Sequence, residues 1–238
     1  MKRFLVILLA ALLLFSFTSC NQDKIDELEA KVKQEEAKVE QEKADHEATI
    51  KNFEDFFEAM SAIGRYTQLY SSTLGASADS VDVTLDKTKV SSFTNYLSSF
   101  VSLEEGESVA SGDASIEAAS GTIKGKNKHP DGSGTYIPYD IDLTYTNVST
   151  TIKYSVSDKN GKIAAKTDLT ITISVSGRFI QKEDANTGAT TVSFKGTING
   201  TEYDYSFAKN KYGEFTSAKI NGNNVELRLI NAANLMSM

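Results

Sequence analysis

The polar and apolar positions along the chain change period three times. Residues 4–15, FLVILLAALLLF, are an unbroken apolar run. Residues 23–49, DKIDELEAKVKQEEAKVEQEKADHEAT, are dominated by Glu, Lys, Ala and Gln with no Gly or Pro, a composition of strong helix formers. Glu27 with Lys31 and Glu29 with Lys33 stand at the favourable i,i+4 spacing. Ile25, Leu28, Val32 and Val39 trace an a/d stripe, which Glu35 and Glu42 at d and His46 at a interrupt. This stretch therefore reads as a solvated helical spacer, with weak coiled-coil self-association as its alternative. From Ile50 the apolar residues thicken: Ile50, Phe53, Phe56, Phe57, Met60, Ile63, Tyr66, Leu69 and Tyr70 recur at three and four residues, the broad face of a packed helix. Gly64 is a candidate kink, and residues 71–80 read as a loop. A second helix is expected over 87–104, capped by Asp86 and presenting Val90, Phe93, Tyr96, Leu97, Phe100 and Val101, followed by a loop at 104–113.

From Ile116 onward the period becomes two. Tyr139, Ile141, Leu143 and Tyr145 alternate with polar residues, as do Ile152, Tyr154 and Val156, and then Leu169, Ile171, Ile173 and Val175. Further runs follow at Val192–Ile198, at Tyr203, Tyr205 and Phe207, and at Val225, Leu227 and Leu229. One apolar and one polar face is the mark of antiparallel strands. Asp158–Gly161, Asn199-Gly200 and Asn221-Gly222 are hairpin turns. Between Tyr145 and Ile152 the parity flips, which requires a turn or a bulge near Asn147. Pro138 belongs at a strand start or an edge. The expected fold is α+β: a long N-terminal helix and a second helix packed on one face of a six- to eight-stranded antiparallel, curled sheet, with a closed barrel as the alternative. The domain division is 1–19, 20–49 and 50–238.

Composition narrows the function. Forty per cent apolar residues supply a core and exclude disorder throughout. The net charge of −7, without a basic cluster, argues against nucleic acid and against docking on anionic lipid headgroups. Loss of Lys2 and Arg3 with residues 1–19 would lower it further. The single cysteine, Cys20, precludes an internal disulfide, and two histidines and no tryptophan leave few catalytic candidates.

Lys2 and Arg3, the apolar run 4–15 and Ser16-Phe17-Thr18-Ser19-Cys20 together resemble the signal peptide and lipobox of bacterial lipoproteins. The apolar run is too short to span a bilayer as a helix. Ser19 and Thr18 fit the lipobox, whereas Phe17 stands where leucine is usual. The resemblance implies cleavage before Cys20 and diacylglycerol with further acyl chains such as palmitate on Cys20. Two or three chains anchor a protein stably to a membrane. Asn21, in place of aspartate, implies an outer-membrane or cell-surface location rather than the inner membrane.

No nucleophile elbow, zinc-protease motif, C-x-x-C, phosphate loop or dinucleotide fingerprint occurs, so no enzyme, cofactor or metal site is expected. His46 reads as a helix-surface residue and His129, beside Asp131, as a loop residue. Asp140 and Asp142 share a polar strand face and read as solvated. Asp184–Gly188 reads as a turn, since the closing glutamate of a calcium loop is missing. Tyrosines concentrate in the β half, and Tyr139, Tyr145, Tyr154, Tyr203 and Tyr205 are the candidate face for a ligand or partner. Two readings follow: a tethered, non-catalytic binding or structural module contacting a protein, glycan or lipid of the cell envelope, or a carrier of an apolar molecule held between sheet and helices.

Overall fold

The Gly- and Pro-poor run forms a single helix, α1 (Gln22–Leu74), in a computed structural model that describes residues 22–90, 97, 100–109, 114–130, 136–158 and 166–236. The chain divides into two compact units, Met1–Ala48 and Thr49–Met238. In the first, the helix is polar nearly all round. Val39 is 52% and Leu28 40% exposed, Ile25 and Val32 are half-buried, and Lys31–Glu27 and Lys38–Glu35 pairs decorate it. Residues 22–48 span about 40 Å of helix.

In the second unit, α1 continues through Gly64 without a break and buries Phe56, Ala59, Ile63, Tyr66 and Tyr70. These pack on a nine-stranded, wholly antiparallel sheet whose main path is β1-β3-β4-β5-β6-β7-β8-β9. The strands are β1 (Ala78–Thr84), β2 (Glu107–Val109), β3 (Ser115–Lys128), β4 (Asp140–Asp158) and β5 (Lys166–Glu183). They continue with β6 (Thr190–Ile198), β7 (Thr201–Lys209), β8 (Phe215–Ile220) and β9 (Asn223–Asn224). β2 pairs with the end of β4 beyond β3. The sheet is open, because β1 and β9 end its path without pairing to each other; the closed-barrel alternative is set aside.

Alternation explains the core. Leu143, Phe179, Phe194, Tyr205 and Ile220 form one cross-strand row from β4 to β8, and all are buried. Phe56 of α1 stands over this region, with its ring 5.8 Å from Tyr205, 6.2 Å from Phe207 and 6.1 Å from Phe215. The parity flip is a bulge: β4 runs through it, its pairing to β5 skips from Tyr145–Gly177 to Val148–Val175, and Asn147 takes φ 48°.

The Asn-Gly turns do more than reverse the chain. Asn199 and Asn221 adopt φ 48° and 49°. Asn199 donates its N–H to the Ser174 carbonyl and accepts the Ser174 N–H on Oδ1 (2.9 and 2.8 Å). Asn221 grips Asp204 in the same way (2.7 and 3.2 Å). Each asparagine thus extends the ladder to the neighbouring strand by one residue.

Three expectations need correction. The helix over 87–104 is not α-helical at its described positions, where residues 87–90 form a turn and Leu97 begins a single 3-10 turn by accepting the Phe100 N–H at 2.9 Å. Asp86 Oδ1 accepts the Thr88 N–H at 2.8 Å and the Asp86 carbonyl accepts the Lys89 N–H at 3.1 Å, so this cap closes one turn only. Lys89 Nζ then returns to the Thr84 carbonyl at 2.8 Å. Val90 and Leu97 are buried and Phe100 and Val101 pack on the core, while Phe93 and Tyr96 lie outside the described residues. Second, residues 225–229 do not form a strand. Val225 is buried, but Leu227 opens helix α2 (Leu227–Met236), in which Ile230 is buried and Leu229 is 40% exposed. Its Asn231 side chain pairs with both backbone groups of Phe215 (2.9 and 3.1 Å), docking α2 on β8 as a strand residue would. Third, the loops expected at 71–80 and 104–113 are partly regular: 71–74 end α1, 78–80 open β1 and 107–109 form β2, so the described strands number nine rather than six to eight. No described helix is long and apolar enough to cross a membrane.

Candidate functional site

The five tyrosines singled out by the sequence do not form one surface. Tyr145 and Tyr205 belong to the core, 4% and 3% exposed. Burial pushes both phenols above their ordinary pKa. The Tyr145 ring lies 6.2 Å from that of Tyr70, and its buried hydroxyl has no hydrogen-bond partner among the described residues. Tyr203 stands in the same cross-strand row as Tyr145, separated from it by Gly177 and Gly196. It is half-buried, and its hydroxyl reaches Glu58 on α1 at 3.5 Å. Burial and the Glu58 carboxylate raise its pKa. Tyr154 is half-buried near the far end of β4, opposite Leu169. Tyr139 precedes β4; its carbonyl accepts the Glu183 N–H at 2.8 Å, and its own N–H faces the Glu183 carboxylate.

The glycine pair explains how Tyr145 and Tyr203 can flank it. A Cβ on Gly196 would lie 2.5 Å from the Gly177 Cα, and one on Gly177 would lie 2.7 Å from the Gly196 Cα. β5 and β6 approach there more closely than side chains permit. Between α1 and this part of the sheet, Ile63, Tyr66, Tyr145, Val175, Phe194 and Ile198 border a cavity of about 10 Å³, room for no more than one water.

Aromatic and polar groups do converge at one end of the helix-facing side, around Tyr139. Tyr136, 61% exposed, donates its hydroxyl to Glu183 Oε1, and the Tyr139 N–H points at Glu183 Oε2 at 3.4 Å. Across Thr190 of β6, on the same face, lies Lys209. Its ammonium sits 4.2 Å from the Phe215 ring centroid and 5.6 Å from that of Phe207. Burial lowers the Lys209 pKa, since desolvation disfavours the charged form. This corner presents phenols, a carboxylate and a cation held on aromatic rings. Only Tyr139 in it was a sequence candidate. Lys209 was missed because its only signal is alternation with Phe207 on β7.

The remaining candidates are occupied structurally. Asp142 takes a two-bond grip from Arg178 (2.8 and 2.7 Å), which holds its carboxyl below the usual carboxylate range. Asp140 pairs with Lys126 at 2.8 Å. Asp184 Oδ1 accepts the N–H groups of Asn186 and Thr187 (2.9 and 2.8 Å), closing a turn and lowering its own pKa. His46 lies exposed on α1, and His129 Nδ1 contacts the Pro130 carbonyl at 3.0 Å. Asp131, residues 159–165 and Cys20 lie outside the described residues. No three His, Cys, Asp or Glu side chains converge among the described residues. Comparison with protein-family models, with curated proteins and with solved structures found no match.

Proposed function

We propose that the chain is a membrane-anchored extracytoplasmic lipoprotein whose globular unit makes non-catalytic contacts in the cell envelope. One observation carries this reading: the only cysteine, Cys20, closes the short Ser16–Ser19 stretch that follows the apolar run 4–15, and it stands two residues before a helix whose residues 22–48 are polar nearly all round. A helix with no broad apolar stripe gains little from packing and suits a solvated spacer. With acyl chains on Cys20, residues 22–48 would supply such a spacer next to the membrane, on the outer membrane or cell surface. The Tyr136–Glu183–Lys209 corner, with Tyr139, is the surface best furnished for a protein or glycan partner, because rings and charged groups there share one face.

The second reading, carriage of an apolar molecule between α1 and the sheet, calls for roughly 300–1,000 Å³. Among the described residues, the space between α1 and the sheet bordered by Tyr66 and Tyr145 is about 10 Å³, which supports the first reading instead. Cys20→Ala in the full chain, expressed in a bacterial host, tests the anchor. The variant is expected to leave the membrane fraction and to lose incorporation of labelled fatty acid. Retention of both would overturn the proposal.

A further inference from the structure

β5 is twice as long as the strand beside it. β6 pairs with it only from Val175 to Glu183, and the Asn199 side chain then grips Ser174. Among the described residues nothing pairs with Lys166–Ile173 on that side. Because Ser174 and Ser176 direct their backbone groups toward β6, alternation directs those of Thr170 and Thr172 the same way, where no described residue pairs with them. Leu169 and Ile171 lie half-buried on the helix-facing side of this edge, with Thr170 and Thr172 exposed on the other.

Strand edges are normally guarded by charge, bulges or brevity. β1 carries Asp79 and Asp82 and a register shift after Ala78, and β9 is two residues long. The β5 edge has no charge from Leu169 to Ile173; its own bulge, with Asp168 at φ 58°, lies just before this stretch and leaves these five residues regular. Its flanking Asp168 is paired with Lys153 of its own sheet.

We propose that a second copy of this chain pairs with this edge, antiparallel, about a twofold axis through Ile171. That register sets Ile171 against Ile171, Leu169 against Ile173, and Thr170 against Thr172. Every opposition joins like chemistry, and no like charges meet. Thr170 and Thr172 then exchange backbone hydrogen bonds with their counterparts, and the apolar side of the edge continues across the axis. An isologous contact needs this self-complementarity.

Site-specific cross-linking tests the register. In the full chain with Cys20→Ser, Ile171→Cys would face its own copy in a non-hydrogen-bonded pair at a Cα separation of about 4.5 Å, within disulfide reach. Leu169→Cys, equally half-buried, would stand four residues out of register with its copy, about 13 Å away. Under mild oxidation, Ile171→Cys is expected to form dimers at least about tenfold faster than Leu169→Cys. Adding Thr170→Lys and Thr172→Lys, both on exposed positions, would oppose lysines across the axis. Cross-linking of Ile171→Cys should then fall to the Leu169→Cys level at low salt. Mixing with a chain carrying Ile171→Cys, Thr170→Glu and Thr172→Glu should restore it. Equal rates for the two cysteine variants, or indifference to the lysines, would overturn the proposal.

Discussion

The hydroxyl of Tyr70 on α1 lies 3.0 Å from Oγ1 of Thr150 on β4, and both side chains are fully buried. This is a polar link inside an apolar interface, and each group satisfies the other. Removing one partner leaves the other desolvated and unpaired, whereas removing both leaves an apolar contact of similar shape. Tyr70→Phe and Thr150→Val are each expected to cost about 1–2 kcal/mol, and the double variant less than their sum by about 1 kcal/mol. Urea denaturation of the four proteins checks this; additive costs would show that the two hydroxyls do not depend on each other.

Buried phenols also set the alkaline limit of the fold. Burial holds Tyr70 up to about 12 and keeps Tyr145 and Tyr205 above their ordinary value. In the unfolded chain the same groups ionise near about 10. The folded pKa values are raised for an acid, so their contribution is intact below about pH 10. Above it, the unfolded state releases protons that the folded state retains. Stability should then fall by up to about 1.4 kcal/mol per pH unit for each tyrosine. Urea midpoints measured from pH 9 to 12, alongside tyrosinate absorbance, should show part of the absorbance change appearing only on unfolding. Titration of all ten tyrosines near 10 in the folded protein would contradict this.

The Gly177–Gly196 contact predicts a contrast between two glycines of the same hairpin. Gly196→Ala forces a methyl group against the Gly177 backbone and is expected to cost about 3 kcal/mol. Gly200, in the adjacent turn, has nothing within 4 Å of its would-be Cβ and needs only φ 82°. Gly200→Ala should cost about 1–2 kcal/mol, the left-handed penalty alone. Thermal denaturation of both variants orders the costs, and equal losses would mean that the strands can separate at no cost.

Much of the architecture was legible because it rests on local rules. The two-residue period placed the inward rows of β4 to β7, the Asn-Gly pairs placed both turns, and the lost parity near Asn147 located the bulge. What failed depended on longer range. Asp86 offers the same side-chain cap to one turn as to a full helix, and only the return of Lys89 to β1 shows which forms. Val225, Leu227 and Leu229 alternate over too few residues to separate a strand from the first turn of α2. β1 has only Val81 and Val83 to mark its period, among charged and hydroxyl residues. For the tyrosines, alternation reports which face of the sheet a ring occupies, but not which part of that face α1 covers. Tyr145 and Tyr205 fall under the helix, and Tyr139 falls at the corner beyond it.

Phe56 completes its aromatic contacts only with Tyr205, Phe207 and Phe215, about 150–160 residues later in the chain. A ribosome adding about 5–20 residues per second delivers those partners roughly 10–30 s after Phe56 itself. The Phe56 end of the apolar face therefore waits until most of the sheet has been synthesised, whereas Tyr66 meets Phe100 only 34 residues further on. The packing of α1 on β7 and β8 is therefore the last part of this interface that the growing chain can complete. If the chain is exported, as proposed above, that delay is an advantage, because the unclosed state is the one that can be threaded.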